Sequence, residues 1–412
     1  MNPSLVPMRS VETRESWTVA IVALLILGMS YGAPMVTVVA LKPIAEELGT
    51  PRSAPALAVA MTYIGAGAGG IGMGWLAERI GVRAVVIAGS TMIGVGLAFA
   101  SSGGMGRLYI GNLLLVGLLG ASSMFAPLMT YVSRWFDRRR GSAVALISSG
   151  QYVAGAVWPS LIALGIEAYG WRLTMFVFGC VVTVVIVPLA AWFLRRPPKA
   201  PAFGGAHAGP NRGLSSLGLP PNVVCALLGF ATFCCCVTMS IPMAHMVAFC
   251  SDIGLGPSNG AAMLSVLLGT AFFSRQFWGW LADRIGGLQT IFWASAGQAA
   301  AMAGFLMTQN EIGLYSVSAA FGLGFGGLIP GYVLAVRELF PASEASWRIP
   351  TVLFPGSLGM AAGGWIAGVI FDHYAFYAPA FATGVLFNLI NLAVIGPLVL
   401  RGRGLRLRLA LG

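Results

Sequence analysis

One base in this chain of 412 residues lies where a base is costly. Arg275 falls inside an apolar run, in Ser274-Arg275-Gln276-Phe277-Trp278-Gly279, eight residues before Asp283. As helix, that spacing is about 12 Å. Placing a guanidinium in hydrocarbon costs at least about 2.5–3.5 kcal/mol. All 13 acidic residues fall in loops or at the ends of apolar runs, so no fixed carboxylate waits at the same depth. An anionic ligand would supply the missing charge, and the planar fork would grip a carboxylate through two parallel hydrogen bonds. Two other readings stay open: the side chain snorkels to the headgroups, or it bonds a neighbouring helix. His245, just after Pro242, is the other titratable group well inside a run. It can hydrogen-bond a neighbouring helix, touch a substrate, or carry a proton near neutral pH. Tyr31, Gln151, Tyr152 and Tyr332 lie in further runs and are candidates to line a shared cavity, against plain packing.

Other chemistry is excluded. The six cysteines lie in or at the ends of apolar runs, three of them consecutive (Cys234, Cys235, Cys236), a spacing no zinc site uses. They read as small packing residues. No nucleophile–base set, metal spacing or phosphate loop is present, so neither an enzyme nor a cofactor is expected. The glycines between Gly65 and Gly74 lie inside an apolar run and serve close helix packing, not nucleotide binding.

The elements that must position these residues follow from composition. Hydrophobic residues make up 57% of the chain and charged residues 9%, against about 25% charged in soluble domains. Mean hydropathy is +0.84. Spanning hydrocarbon takes about 20 apolar residues, and twelve such runs are legible: 17–40, 54–77, 84–102, 108–131, 142–164, 172–194, 222–249, 258–281, 288–308, 312–335, 349–371 and 377–400. They are too long for strands and lack period-two alternation, which disfavours a β-barrel. The first run is too long for a cleavable signal peptide and reads as the first helix. The expected fold class is an all-α membrane protein.

The +11 net charge looks like a nucleic-acid signal until the bases are mapped. With the N-terminus inside, nineteen of the 24 bases face the cytoplasm, four face outward and Arg275 lies within a helix. That bias sets an N-in, C-in topology and removes the case for nucleic acid. The arginine-rich C-terminal tail is placed to meet anionic lipid headgroups.

An internal repeat divides the chain. Gly74-Trp75-Leu76-Ala77-Glu78-Arg79-Ile80-Gly81 recurs as Gly279-Trp280-Leu281-Ala282-Asp283-Arg284-Ile285-Gly286, each copy ending the second run of a set of six. The expected units are a six-helix half at 1–194, a cytoplasmic linker at 195–221 rich in Pro, Gly, Ser and bases, and a second six-helix half at 222–412.

The repeated motif resembles the G-x-L-a-D-R-x-G-r-[RK] signature of the major facilitator superfamily. The first copy continues to Arg83, and the second lacks that basic end. The resemblance covers nearly the whole chain and implies a major facilitator fold of twelve transmembrane helices. It also implies a conformational latch made of Gly74, Glu78, Arg79, Gly81 and Arg83 and of Gly279, Asp283, Arg284 and Gly286. Three further stretches resemble the monocarboxylate transporter and oxalate–formate antiporter branch: Ser30–Met35 with the segment to Gly49, Tyr131–Ala143, and Ser274–Gly279. This sequence departs from that branch at Met35, where many members carry Lys, at Phe125, where many carry Tyr, and at Ala271, where an acid or amide is frequent. Helices 1, 4, 5, 7, 8, 10 and 11 line the central cavity in this family, which adds Phe125 to the candidates and leaves Asn388 and Asn391 facing lipid or neighbouring helices.

The expectation is a multi-pass transporter of the cell inner (plasma) membrane, a monomer in lipid. It would move a small organic anion, a mono- or dicarboxylate, by alternating access, with a proton or an exchanged anion as coupling partner. Two rivals are a broad efflux carrier of drugs or metabolites, whose flux would survive Arg275→Ala, and a membrane sensor that binds without transport.

Overall fold

The computed structural model describes residues 12–136, 139–195 and 216–411. Most of the expected linker, 196–215, lies outside the described residues, as do Asp137 and Arg138 of the Tyr131–Ala143 stretch and the side chains of the last arginines. Among the described residues there is no strand. This follows from the solvent: hydrocarbon offers backbone groups no partners, and a helix satisfies its own.

The helices run α1 Arg14–Ser30, α2 Gly32–Val39, α3 Leu41–Glu47, α4 Ser53–Ile80, α5 Val82–Ser101, α6 Met105–Ile110, α7 Phe125–Ser133, α8 Arg140–Ser148, α9 Gly150–Phe193, α10 Pro221–Asp252, α11 Pro257–Ile285, α12 Gly287–Met307, α13 Glu311–Phe325, α14 Leu328–Leu339, α15 Ala342–Tyr374 and α16 Ala378–Leu411. Among the described residues, nine helical stretches are long and apolar enough to cross a membrane, or ten if α4 counts as one span across its 50° bend. The twelve expected runs exceed this for two reasons. The stretch Ser142–Phe193 is one 52-residue passage, folded back at Gly170, whose φ of 77° only glycine adopts readily. Helix α11, with Ser274, Arg275 and Gln276 in its middle, is less apolar than the other spans.

Several spans are broken where they meet the molecular centre. Pro34 has no N–H to give the Ser30 carbonyl, and the chain breaks between α1 and α2 at Tyr31. The apolar run expected as a single fourth helix is α6, a π-helix over Gly111–Gly120, a short 3-10 turn over Ala121–Ser123, and α7. The wide π turn lets this segment approach α4 closely. A methyl group on Gly117 would sit 2.7 Å from the Thr62 carbonyl oxygen, and Thr62 donates to Asn112 Oδ1 at 2.9 Å. A break at Gly326–Gly327 likewise separates α13 from α14.

The helices pack into one bundle. Helix α4 lies along α15, α9 along α11, and α10 against both α2 and α15. At one end of the bundle, charges cross between segments remote in sequence. Arg52 and Lys42 both bond Asp252. Asp372 accepts the backbone N–H of Arg52 at 2.7 Å and of Ser53 at 2.9 Å, so it caps the first turn of α4 from another helix. The Arg52 guanidinium also lies 3.8 Å from the Phe371 ring centre. Burial opposes the Arg52 charge most strongly of any single influence, but Asp252 and Tyr377 together outweigh it and hold the guanidinium above its ordinary value. These contacts make this the clamped end of the bundle.

The opposite end carries the repeated motif. Both copies close the same way: Gly81 and Gly286 have φ of 92° and 86°, and the Arg79 and Arg284 guanidinium groups stack 3.8 and 3.9 Å over the Trp75 and Trp280 rings one turn earlier. Both tryptophans are about half exposed, at 54% and 52%, as rings at a membrane interface are.

Candidate functional site

A cavity of about 400 Å³ lies at the centre of the bundle. Its walls include Tyr31 at the α1–α2 break, Phe125 at the start of α7, Gln151 and Tyr152 in the first turn of α9, and Arg275 of α11. Phe325, at the end of α13, also lines it.

The direction of Arg275 is set by its neighbours. Thr270, Ser274 and Trp278 lie four residues apart, on one stripe of α11. All three bond carbonyls near the broken end of α13: Thr270 donates to Ala319 at 3.2 Å, Ser274 to Leu323 at 2.6 Å and Trp278 Nε1 to Leu323 at 2.8 Å. Glycines make this docking close, since a methyl group on Gly326 would sit 2.8 Å from Ser274 Oγ. With that stripe fixed, the adjacent one, carrying Leu268 and Arg275, turns toward the cavity. The Arg275 guanidinium lies 5.3 Å from the Tyr152 ring centre, within range of a cation–π attraction. Its Nη1 atom is buried and makes no hydrogen bond, and no ion pair to Arg275 is found among the described residues. An unmet charged donor of this kind costs at least about 1–3 kcal/mol.

The structure brings Tyr31, Phe125, Gln151, Tyr152 and Arg275 together and leaves two expected candidates outside the cavity wall. His245 is fully buried. Its Nε2 lies 2.7 Å from the Gly364 carbonyl oxygen and its Nδ1 lies 3.0 Å from Tyr377 Oη. A carbonyl only accepts, so Nε2 carries the proton and Nδ1 accepts from the tyrosine. Tyr332 donates to Asn391 at 2.9 Å, within a buried chain through Ser295, Asn388 and Gln298 that ties α12, α14 and α16. These two residues hold helices together.

No sequence pattern singles out Met239, Met243 and Met360, which line the cavity together with Met35. Met35, Met243 and Met360, with Tyr63, bound a second gap of only about 10 Å³ on the way to the clamped end. Methionine pattern alone does not separate packing from lining. A wider apolar groove of about 860 Å³ between α11, α12 and α13, beside Phe273 and Phe277, opens outward and carries no charged group.

The latch residues are less engaged. Glu78 pairs with Arg134 at 3.7 Å, with both side chains half exposed. No ion pair of Asp283 is found among the described residues, while Glu338 accepts the Gly287 N–H beside it at 3.1 Å. Gly74 and Gly279 face open space, where a methyl group would meet nothing within 4 Å.

A bundle of membrane-length helices around a central cavity lined by one half-buried base has the build of a membrane carrier. The chain belongs to the Major Facilitator Superfamily, whose sequence profile matches residues 19–346. It is similar to human monocarboxylate transporter 11, at 27% identity over 92% of this chain and 75% of that one. It is also similar to bovine monocarboxylate transporter 13, at 25% over 78% and 74%, and to an uncharacterized MFS-type transporter of Bacillus subtilis, at 22% over 84% and 86%. Among solved structures it shares its fold with a bacterial homolog of the human lysosomal transporter Spinster, with a TM-score of 0.74 and 13% identity over 95% of this chain and 98% of that one. The nucleoside transporter NupG has a TM-score of 0.72, at 12% identity over 94% and 100%. The protein is thus a multi-pass transporter of small organic substrates that resembles the monocarboxylate branch.

Proposed function

We propose that the chain is a secondary active carrier of a small organic anion, a mono- or dicarboxylate, working by alternating access. The observation that carries this reading is the buried, unbonded Nη1 of Arg275 at the wall of the central cavity. A carboxylate there would satisfy the guanidinium fork and remove the cost of holding it unpaired. A carrier that returns empty keeps that cost, which favours exchange or substrate-dependent closure. A proton travelling on the substrate's own carboxyl group would serve equally as coupling partner.

The reading includes twelve spans, because Ser142–Phe193 is about twice the length one crossing needs and α11, though more polar, is equally long. They form two six-helix halves, 1–194 and 222–412, joined by a linker at 195–221. The chain is N-in and C-in in a cell inner membrane by its distribution of bases, and it works as a monomer. In that orientation the clamped end faces outward and the motif end faces the cytoplasm. Glu78, Arg79, Arg83, Asp283 and Arg284, with glycines 74, 81, 279 and 286, act as the latch of the opposite conformation.

The test is uptake of a panel of labelled carboxylates into proteoliposomes, with and without a pH gradient, by wild type, Arg275→Lys and Arg275→Ala. Lysine keeps the charge and loses the fork, so loss of carboxylate flux in both variants is expected. Unchanged flux in Arg275→Ala would sink the reading. The apolar part of the cavity wall favours the rival of a broad carrier of neutral compounds, and flux of such compounds through Arg275→Ala would support it.

A further inference from the structure

We infer that the apolar groove between α11, α12 and α13 holds one acyl chain of an anionic phospholipid whose phosphate sits on Arg284, and that this chain braces the dock that aims Arg275.

One exposed face of α11 builds the site. Arg284, Trp280, Phe277 and Phe273 follow one another at intervals of four, three and four residues, so they share that face. It points to lipid: Phe273 is 70% exposed and Phe277 54%. The groups adjoin in order. The Arg284 guanidinium stacks on Trp280, whose ring centre lies 6.1 Å from that of Phe277, and Phe277 and Phe273 line the groove. Phe277 stands seven residues from Arg284, about 10 Å along the helix, and Phe273 eleven, about 16 Å. Half of the hydrocarbon core is about 15 Å. A headgroup at Arg284 therefore sends its chain into the groove within its own leaflet.

Charge decides the occupant. An acyl chain gains no hydrophobic free energy by leaving lipid for an apolar groove, so close packing and the headgroup must hold it. Among the described residues Arg284 has no ion pair. Its flat face lies on Trp280, which leaves the donors on its edge free for a phosphate. Asp283 lies about 100° away round the helix. The first copy of the repeat is the internal contrast. Arg79 stacks on Trp75 in the same way, but 205 residues before Phe273 and Phe277 stand Ala68 and Gly72, which offer a chain no aromatic wall.

The groove touches the candidate site through its floor. Ser274, Trp278 and Leu323 line it, and these are the groups whose hydrogen bonds join α11 to α13. A chain lying there packs over the dock that turns Arg275 toward the cavity. The lipid site stands whether or not Arg275 binds a carboxylate.

The probes are phosphatidylglycerol and phosphatidylcholine, each with a diazirine midway along one acyl chain, irradiated with the full chain in nanodiscs and mapped by peptide mass spectrometry. Phosphatidylglycerol should label the groove segments of α11, α12 and α13 about fivefold more than phosphatidylcholine does, the gain from one base beside an anionic headgroup. Arg284→Gln should remove that preference and Arg79→Gln should leave it. Ala300→Trp, which fills the groove from an exposed position, should abolish labelling there. Added phosphatidylglycerol should raise the Tm of the wild type in detergent and not that of Ala300→Trp. Equal labelling by the two lipids, a preference that survives Arg284→Gln, or cross-links between two copies of the chain across the groove would overturn the lipid site. An equal rise in Tm for wild type and Ala300→Trp would overturn the bracing.

Discussion

The two ends of the bundle are held by different means. At the clamped end, contacts cross between residues before 60 and residues after 250: Lys42 to Ser251 and Asp252, Arg52 to Asp252 and Tyr377, and the start of α4 to Asp372. At the motif end, the ion pairs found among the described residues join near neighbours in the fold: Glu78 with Arg134, Glu15 with Arg195, and Glu344 with Arg348. Asp252 is only 22% exposed and Arg52 13%, whereas the Glu78–Arg134 pair is 64% and 50% exposed. Screened surface pairs contribute about 0–1 kcal/mol, while removing one partner of a desolvated pair strands the other. This conformation is therefore latched at one end and loosely held at the other.

That contrast can be broken most strongly at Asp252. Asp252→Asn leaves Arg52 and Lys42 without their shared carboxylate. Labelling of a cysteine placed by Met243→Cys, with reagent applied from the clamped side, should speed up by about tenfold or more. An unchanged rate would mean that the methionine layer alone closes this end. Asp372→Ala is the next step down. Loss of a helix cap costs about 0.5–2 kcal/mol, and the same labelling rate should rise by about three- to tenfold.

The glycines of α4 sharpen the contrast within one helix. Gly65→Ala and Gly69→Ala should lower the Tm by several degrees, because a methyl group at either position would collide with the backbone of the π-helical segment. Gly74→Ala, at an open position, should leave the Tm unchanged or slightly raised, since alanine favours helix by about 0.5–1 kcal/mol. If Gly74 packs closely in the opposite conformation, the same variant should still slow turnover. A Tm loss for Gly74→Ala equal to that of Gly65→Ala would contradict the open geometry. The smallest effect belongs to Glu78→Gln, which should move the Tm by no more than about 1–2 °C, as fits an exposed pair.

These differences explain what could be read from the sequence. Span lengths, the duplicated motif and the isolation of Arg275 are local patterns, and local patterns are legible. The clamp is not local: Lys42, Arg52, Asp252 and Asp372 each read as an ordinary loop or helix-end charge, and only folding unites them. His245 and Tyr332 drew attention as polar groups in apolar runs, yet Tyr377, Gly364 and Asn391 satisfy them, and a sequence does not announce such partners. Met239, Met243 and Met360 carry no mark in the sequence, because core and cavity wall have the same composition. The π-helix at Gly111–Gly120 was hidden because an apolar stretch does not reveal which carbonyl each amide will choose.

Asp372 carries a consequence for how the clamped end could part. The opening turn of α4 borrows its acceptor from α15, so separating these helices also uncaps two amides at once. Water must reach both before either bond is fully lost, and Phe371 and Tyr377 stand over the same arginine. Opening at this end should therefore proceed as a single threshold event that includes fraying of a helix start, not as a gradual widening.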